Sequence, residues 1–501
     1  MTRVRRAASA GVIALGALLM TPAAGAVTVS SGIVLNDVTI VNTRDGTLLR
    51  DVEIAIDGGK IAAIVPADSL TVRAPARRID EPGEFVVPGY LDMHAHTLQS
   101  SDADGGLTLM LANGITGFRQ MAGSPELLDA RRAGKLPGQP FAPEVLAMPG
   151  TIMTHVNAGT AEAAVAEVDR QQAMGADFIK VIETTPVTFF AIAGEAKRQN
   201  LTYLGHLPES VNVRDASRAG MRSIEHLGPM SSVLLGCSSD EAALRESLAH
   251  RPPPAAAAAQ AVNPALATAN PIAFTDPFEF GIMQRVIGTY DETKCRQLAA
   301  AFIANQTWQV PTLIRLRTME IGDDPDYAAD PALRYVPPAT REMWKSLSAS
   351  FPAKVAPDAR TTLKSFFALQ LRLTKLLDDA GVPMMAGTDS GGFAQFCIPG
   401  FALHEEFDLL DQAHVPALHV LQMTTLNGAR FLGREATMGT VDVGKDANLV
   451  VLDANPIVSI QNLHKIAGVV RAGKFYSRAA LDDLENKVAA RNASGTGKGK
   501  S

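Results

Sequence analysis

Apolar positions along this chain recur in two periods. Near the N-terminus Val52, Ile54 and Ile56 alternate with Glu53, Ala55 and Asp57, the period-2 pattern of a half-buried strand. Gly58-Gly59 follows as a hairpin turn before "KIAAIV". The C-terminal region behaves alike. There "ANLVVLDANP" (447–456) reads as a buried strand with a turn, and "AGVVRAGKFYS" (467–477) as two short strands joined at Ala472-Gly473. Two β-rich ends, 27–85 and 431–485, predict one small β-sandwich module in which both ends of the chain meet.

In the middle, 86–430, short apolar runs alternate with helical stretches. The strand candidates are "EFVVPGYLDMH" (84–94), "ITGFRQ" (115–120), "EVLAMPG" (144–150), "DFIKVIE" (177–183), "TYLGH" (202–206), "RSIEH" (222–226), "WQVPTL" (308–313) and "PMMAGTD" (383–389). Amphipathic helices are predicted over 160–174 and 361–379, among others. Eight strands alternating with helices predict an α/β fold, a parallel (β/α)8 TIM-like barrel. Residues 251–275, beginning "RPPPAAAAAQ", are Pro/Ala-rich and predict a long mobile excursion between the sixth and seventh strands. The Gly/Ser/Lys-rich end, 486–501, reads as a disordered tail.

Composition narrows the function classes. With 501 residues, 47% apolar and 20% charged, the chain can bury a large core. A net charge of −6 gives no basic footprint for nucleic acid. The three scattered cysteines, Cys237, Cys295 and Cys397, argue against a disulfide framework and against a thiolate metal site. Residues 1–26 read as a signal peptide: Arg3, Arg5 and Arg6 precede an apolar run, and Ala24-Gly25-Ala26 fits a cleavage site. That run is too short for an ordinary membrane span. The expectation is an exported protein, periplasmic or extracellular, with no stable membrane insertion.

The candidate chemistry lies at the strand ends. The first strand ends in His94 and His96, the fourth carries Lys180, the fifth ends in His206, the sixth in His226 and the eighth in Asp389. Each has a plainer reading alone, as a hydrogen-bonded histidine or a "GTD" turn. Lys180 stands out, because an unpaired ammonium is costly to bury in an apolar strand. In a (β/α)8 barrel all strand C-termini open onto one face, which would gather these residues around one point. Alternation within His94-Ala95-His96 sends both imidazoles to the same side, as two ligands of one cation require. Together they predict a metal centre.

The chain resembles the amidohydrolase superfamily, in its imidazolonepropionase-like and metal-dependent prolidase-like branch. The resemblance is carried by "VVPGYLDMHAH" (86–96), "GADFIKVI" (175–182), "GHLPESV" (205–211), "SIEHL" (223–227), "AGTDSG" (386–391), "NGARFLG" (427–433) and "MGTVDVGKDANLVVLDANP" (438–456). It implies a divalent-metal centre, most often zinc. His94, His96 and Asp389 would hold the more buried ion, and His206 and His226 the more exposed one. Lys180, carboxylated on Nζ, would bridge both; unmodified, it implies a single ion. The resemblance further implies that a metal-activated hydroxide attacks a carbonyl, with Asp389 shuttling the proton to the leaving nitrogen. After Lys180 the connection to the next histidine is shorter than in many prolidase-like members, so the resemblance carries over the metal ligands but does not by itself imply dipeptide specificity.

Weaker candidates surround this set. His155 in "TIMTHVNAG" is a candidate substrate contact, Trp308 reads as a core aromatic, and His404 as a packing residue. The leading expectation is an exported hydrolase of an amide, peptide-like or cyclic-amide C–N bond in a small-molecule substrate. The same centre could instead serve a lactone, carbamate or ester, or the barrel could be a binding protein without turnover. Homo-oligomers are common among such barrels.

Overall fold

The computed structural model describes residues 28–138, 142–228, 230–251, 263–392 and 394–494. The predicted signal peptide, residues 1–26, lies outside the described residues.

Both ends of the chain share one sheet. Its order runs Lys474–Ser477, Ile466–Arg471, Leu449–Leu452, Phe85–Pro88, Ile33–Val41, Leu48–Asp57, Lys60–Pro66, with Arg77–Asp80 beside Ile33–Val41. The junction is the antiparallel pair in which Val450 faces Val87. Val52, Ile54 and Ile56 are buried as the alternation predicts, but so are Glu53 and Ala55 between them. The strand is therefore covered on both faces, and Glu53 is tolerated because Arg78 NH1 lies 2.5 Å away and the Leu70 amide donates to it at 2.8 Å.

The middle of the chain is a TIM-barrel-like α/β assembly of parallel strands. One sheet joins Glu144–Ala147, Ile115–Gln120, Tyr90–His96 and Ser390–Gly391 in that order. A second joins Met153–Thr154, Phe178–Glu183, Thr202–Gly205, Ser223–Glu225 and Trp308–Val310. Backbone hydrogen bonds cross both seams: the Asp177 amide donates to Met148 O at 3.0 Å, and those of Met385 and Met93 to Gln309 O and Ala386 O at 3.0 and 2.9 Å. The predicted eighth strand, 383–389, is irregular, with one isolated bridge at Met384. Gly387 explains part of this. A Cβ there would lie 2.7 Å from Val310 Cγ1 and 2.8 Å from His94 Cβ, so only glycine lets the segment pass this close to the first strand. The predicted helices appear as Ala161–Ala173 and Pro357–Asp379.

Three expectations are corrected. Cys237 and Cys295 form a disulfide, leaving only Cys397 as a buried free thiol. The three-residue count hid a bridge because the pairing spans 58 positions and depends on tertiary proximity. The 251–275 stretch is not wholly an excursion: Pro264–Ala269 is helical and Pro271–Phe274 forms a 3-10 turn. Asn270 is fully buried there, its Nδ2 donating to Met319 O and to Gln395 Oε1 at 3.1 and 2.9 Å. Residues 252–262 lie outside the described residues. Finally, the tail predicted to be disordered from 486 is helical as far as Ala493, because Leu481, Leu484 and Val488 are buried and Asn492 Nδ2 donates to Tyr335 O at 2.7 Å.

Candidate active site

The strand C-termini bring His94, His96, Lys180, His206, His226 and Asp389 to one place. His94 Nε2 and His96 Nε2 lie 3.0 and 3.1 Å from Asp389 Oδ1. The His226 ring centroid is 4.6 Å from that of His94 and 4.9 Å from that of His206. Ligand atoms of His94, His226 and Asp389 all lie within 4.8 Å of one another, so these three could hold a metal ion. Lys180 is 1% exposed, and its Nζ is buried without a hydrogen-bond partner. The cluster borders a cavity of about 690 Å³, lined by His96, Lys180, His206, Arg315 and Asp389 together with Ile152, Ile182, Ala267 and Pro271, among others.

The backbone is bent to aim these groups. His226, Thr312 and Asp389 all have positive φ, at 58°, 46° and 60°. Residues outside glycine rarely adopt this region, least of all a β-branched threonine. At His226 the bend breaks strand alternation, so both Glu225 and His226 reach His94. At Asp389 it is held by the Asp389 amide donating to His94 O at 2.7 Å and by Ser390 N donating to Thr388 Oγ1 at 3.0 Å.

A layer of residues unmarked in the sequence reading supports the cluster. Glu225 Oε2 lies 2.7 Å from His94 Nδ1, and Arg119 NH2 lies 2.9 Å from Glu225 Oε1. Both Glu225 and Arg119 are fully buried. Burial raises the Glu225 carboxyl, but Arg119 and His94 hold it well below the usual range, so it stays ionised. A carboxylate only accepts, so His94 Nδ1 carries a proton, and in the neutral ring, the form that binds a metal, Nε2 presents a lone pair. That lone pair faces Asp389 Oδ1, another acceptor, and His94 Nε2 has no hydrogen-bond partner. Two acceptors facing each other in a buried site fit a cation between them. His226 is arranged alike: Thr312 Oγ1 donates to Pro311 O at 2.8 Å and lies 2.6 Å from His226 Nδ1, which leaves Nε2 as the acceptor.

The remaining electrostatics agree. Burial keeps His206 and His226 well below the ordinary histidine range, hence neutral, as metal ligands must be. Burial would raise Asp389, yet its imidazole neighbours, His96 Nε2 at 3.1 Å among them, keep it well below the carboxylate range. Burial pushes Lys180 down to about 8 against the upward pull of Glu225 and Asp389. Arg315 Nε lies 3.0 Å from Asp389 Oδ2.

Of the other sequence candidates, Trp308 is a buried core residue packed against Phe431. His404 is buried with Nε2 3.1 Å from Asn113 O, a packing role. His155 does not line the cavity. It is largely exposed, with Nδ1 3.8 Å from Glu183 Oε2. Glu225 and Arg119 had a faint signal, each a charged residue inside an apolar strand, whereas nothing in "LIRLRT" separates Arg315 from Arg317.

Residues 370–476 match the sequence model of the amidohydrolase family. Adenine deaminase of Rubrobacter xylanophilus is 34% identical over 64 residues, 13% of this chain and 11% of that protein, so the chain spans only about a tenth of the curated relative it matches. In fold it is similar to a bottromycin amidohydrolase, with TM-score 0.65 and 21% identity over 92% of this chain and 90% of that one. It is also similar to a Xaa-Pro dipeptidase, with TM-score 0.58 and 19% identity over 89% and 100% of the two chains. The ochratoxinase of A. niger gives TM-score 0.57 and 15% identity over 89% and 95%. The chain thus carries a match to the amidohydrolase family's sequence model over residues 370–476 and shares the fold of these solved enzymes over most of its length.

Proposed function

We propose that this chain is a metal-dependent hydrolase of a C–N bond, amide or cyclic amide, in a small-molecule substrate. The observation that carries the reading is the pair of opposed acceptors, His94 Nε2 and Asp389 Oδ1, 3.0 Å apart beside an unpartnered buried Lys180 Nζ. His94, His96 and Asp389 would hold one divalent ion, and His206 and His226 a second, with zinc the expected metal. Bound there, such ions polarise a carbonyl and acidify water. Lys180 suits a bridging carbamate. With its amine pushed down to about 8, a useful fraction is neutral and can attack carbon dioxide, forming an N–C bond and releasing a proton. The product offers two oxygen acceptors where the ammonium offered none.

In the reaction Asp389 takes a proton from the attacking water as the water oxygen bonds to the carbonyl carbon. It then delivers that proton to the nitrogen as the C–N bond breaks. Glu225 and Thr312 keep the two imidazoles in one tautomer and orientation throughout. The strands with their seam-crossing bonds support one closed (β/α)8 barrel, and the shared sheet supports a terminal β-module packed on it. We also propose that the protein is exported. The Cys237–Cys295 disulfide supports this, since such bonds persist in oxidising compartments. Among the described residues no helix is long and apolar enough to cross a membrane.

The test is metal analysis followed by an amide, dipeptide, lactone and ester panel with and without chelator. Metal-bound protein with chelator-sensitive amide hydrolysis is expected; metal-free, chelator-indifferent protein would overturn the reading. Asp389→Asn should lose at least about a hundredfold in turnover while retaining most of its metal. Near-wild-type turnover in that variant would remove Asp389 from the proton transfer.

A further inference from the structure

The charged groups lining the cavity fall into two sets. Lys180 and Asp389 belong to the cluster, as do the imidazoles of His96 and His206. Arg315 would be the natural receptor for a substrate carboxylate, but each of its nitrogens is already engaged. Nε lies 3.0 Å from Asp389 Oδ2, NH1 donates to Ala269 O at 2.7 Å and NH2 to Thr268 O at 2.8 Å. Among the described lining residues this leaves Glu183 as the charged group open to a substrate.

Glu183 ends the strand Phe178–Glu183, three residues beyond Lys180, and its side chain is 77% exposed at the open edge of the cavity. His155 Nδ1 lies 3.8 Å away, beyond hydrogen-bonding distance. The rest of the lining carries no charge: it is mainly apolar, with Ile152, Ile182, Ala267, Pro271 and Ala394 beside the polar Gln99 and Thr268.

We propose that Glu183 makes the cavity selective for substrates bearing a protonated amine away from the scissile bond, and that a free carboxylate at that end is disfavoured. The proposal rests on the hydrolase reading above and names its substrate class. An ammonium there gains a carboxylate partner across a poorly polarisable wall. An anion at that end meets like charge, while the cationic side chains of the lining, Lys180 and Arg315, lie at the cluster end. A dipeptide, whose free carboxylate needs a cationic receptor, fits such a site poorly.

The test uses three matched anilides on the metal-loaded protein: 6-aminohexanoic acid p-nitroanilide, whose amine is remote from the scissile bond, its N-acetyl derivative and its N-succinyl derivative. The expected order of kcat/KM is amine, then acetyl, then succinyl. Glu183→Gln should lower the amine-to-acetyl ratio about fivefold, the scale of one exposed charge pair. A succinyl derivative that matches or outruns the amine, or a ratio unmoved by Glu183→Gln, would overturn the proposal. If none of the three is turned over, the hydrolase reading loses support and equilibrium binding of the same compounds decides this one. Amine-selective binding lost in Glu183→Gln sustains it, and equal binding of all three sinks it.

Discussion

Thr312 holds a β-branched side chain at φ 46°, where such residues are strained by about 1–3 kcal/mol. Among the described residues its hydroxyl is the group bonded to His226 Nδ1, at 2.6 Å, and the residue is fully buried. The strain is therefore matched by a positioning role, with the hydroxyl fixing which imidazole nitrogen faces the cluster. Thr312→Val keeps the shape and removes the hydroxyl. It should weaken zinc binding by about tenfold, while Thr312→Ser retains it. Competitive zinc titration against a chromophoric chelator reads this without relying on turnover, and unchanged affinity in the valine variant would remove Thr312 from the role. The clustered residues were legible in the sequence because each ends an apolar strand or, as Lys180 does, places a charge inside one. Thr312, Glu225 and Arg315 were not, because what selects them is a partner 70 or more positions away: His226 for Thr312, His94 for Glu225 and Asp389 for Arg315.

Strands and helices of the middle region followed their periodicity, since apolar spacing records which side of an element is covered. The misses have physical causes of their own. The eighth strand runs through Gly387 and the bend at Asp389, so it makes little regular pairing although its composition is that of a strand. The C-terminal helix Arg478–Ala493 is polar overall, and its few buried residues are too sparse to mark it within a charged run. The disulfide ties the segment after the short helix Ser232–Leu235 to the helix Glu292–Asn305, enclosing the 251–275 insertion. Closing a loop of 58 positions restricts the unfolded chain, and such a bridge contributes about 2–4 kcal/mol. Protein unfolded without reductant should titrate one thiol, Cys397, rising to three on reduction. The Cys237→Ala/Cys295→Ala pair should unfold at lower urea concentration, with a loss of unfolding free energy in that range. Three thiols before reduction would show that the bridge does not form.

Across the whole molecule, the carboxyls buried outside the cluster couple folding to pH. Glu320 is 4% exposed, accepts one hydrogen bond from Gln370 Nε2 at 2.8 Å, and is pushed by burial from 4.5 up to about 8. Glu406, which accepts from the Ile314 amide at 2.8 Å, is likewise pushed up to about 8. Below the unfolded value of 4.5 such a group is protonated in both states and favours neither. Between there and about 8 the folded chain keeps a proton that the unfolded chain has released, so stability falls as pH rises. Above the folded value the loss is complete. Glutamine at 320 preserves the shape and the acceptor for Gln370 but binds no proton. The stability of Glu320→Gln should therefore decline less steeply between pH 5 and 7, by up to about 1.4 kcal/mol per pH unit, the linkage of one proton. Urea midpoints of both proteins, measured at each pH with saturating zinc, isolate this difference from the cluster's own titration. Parallel slopes would mean that Glu320 ionises alike in both states, and the pH dependence of folding would then belong to other groups.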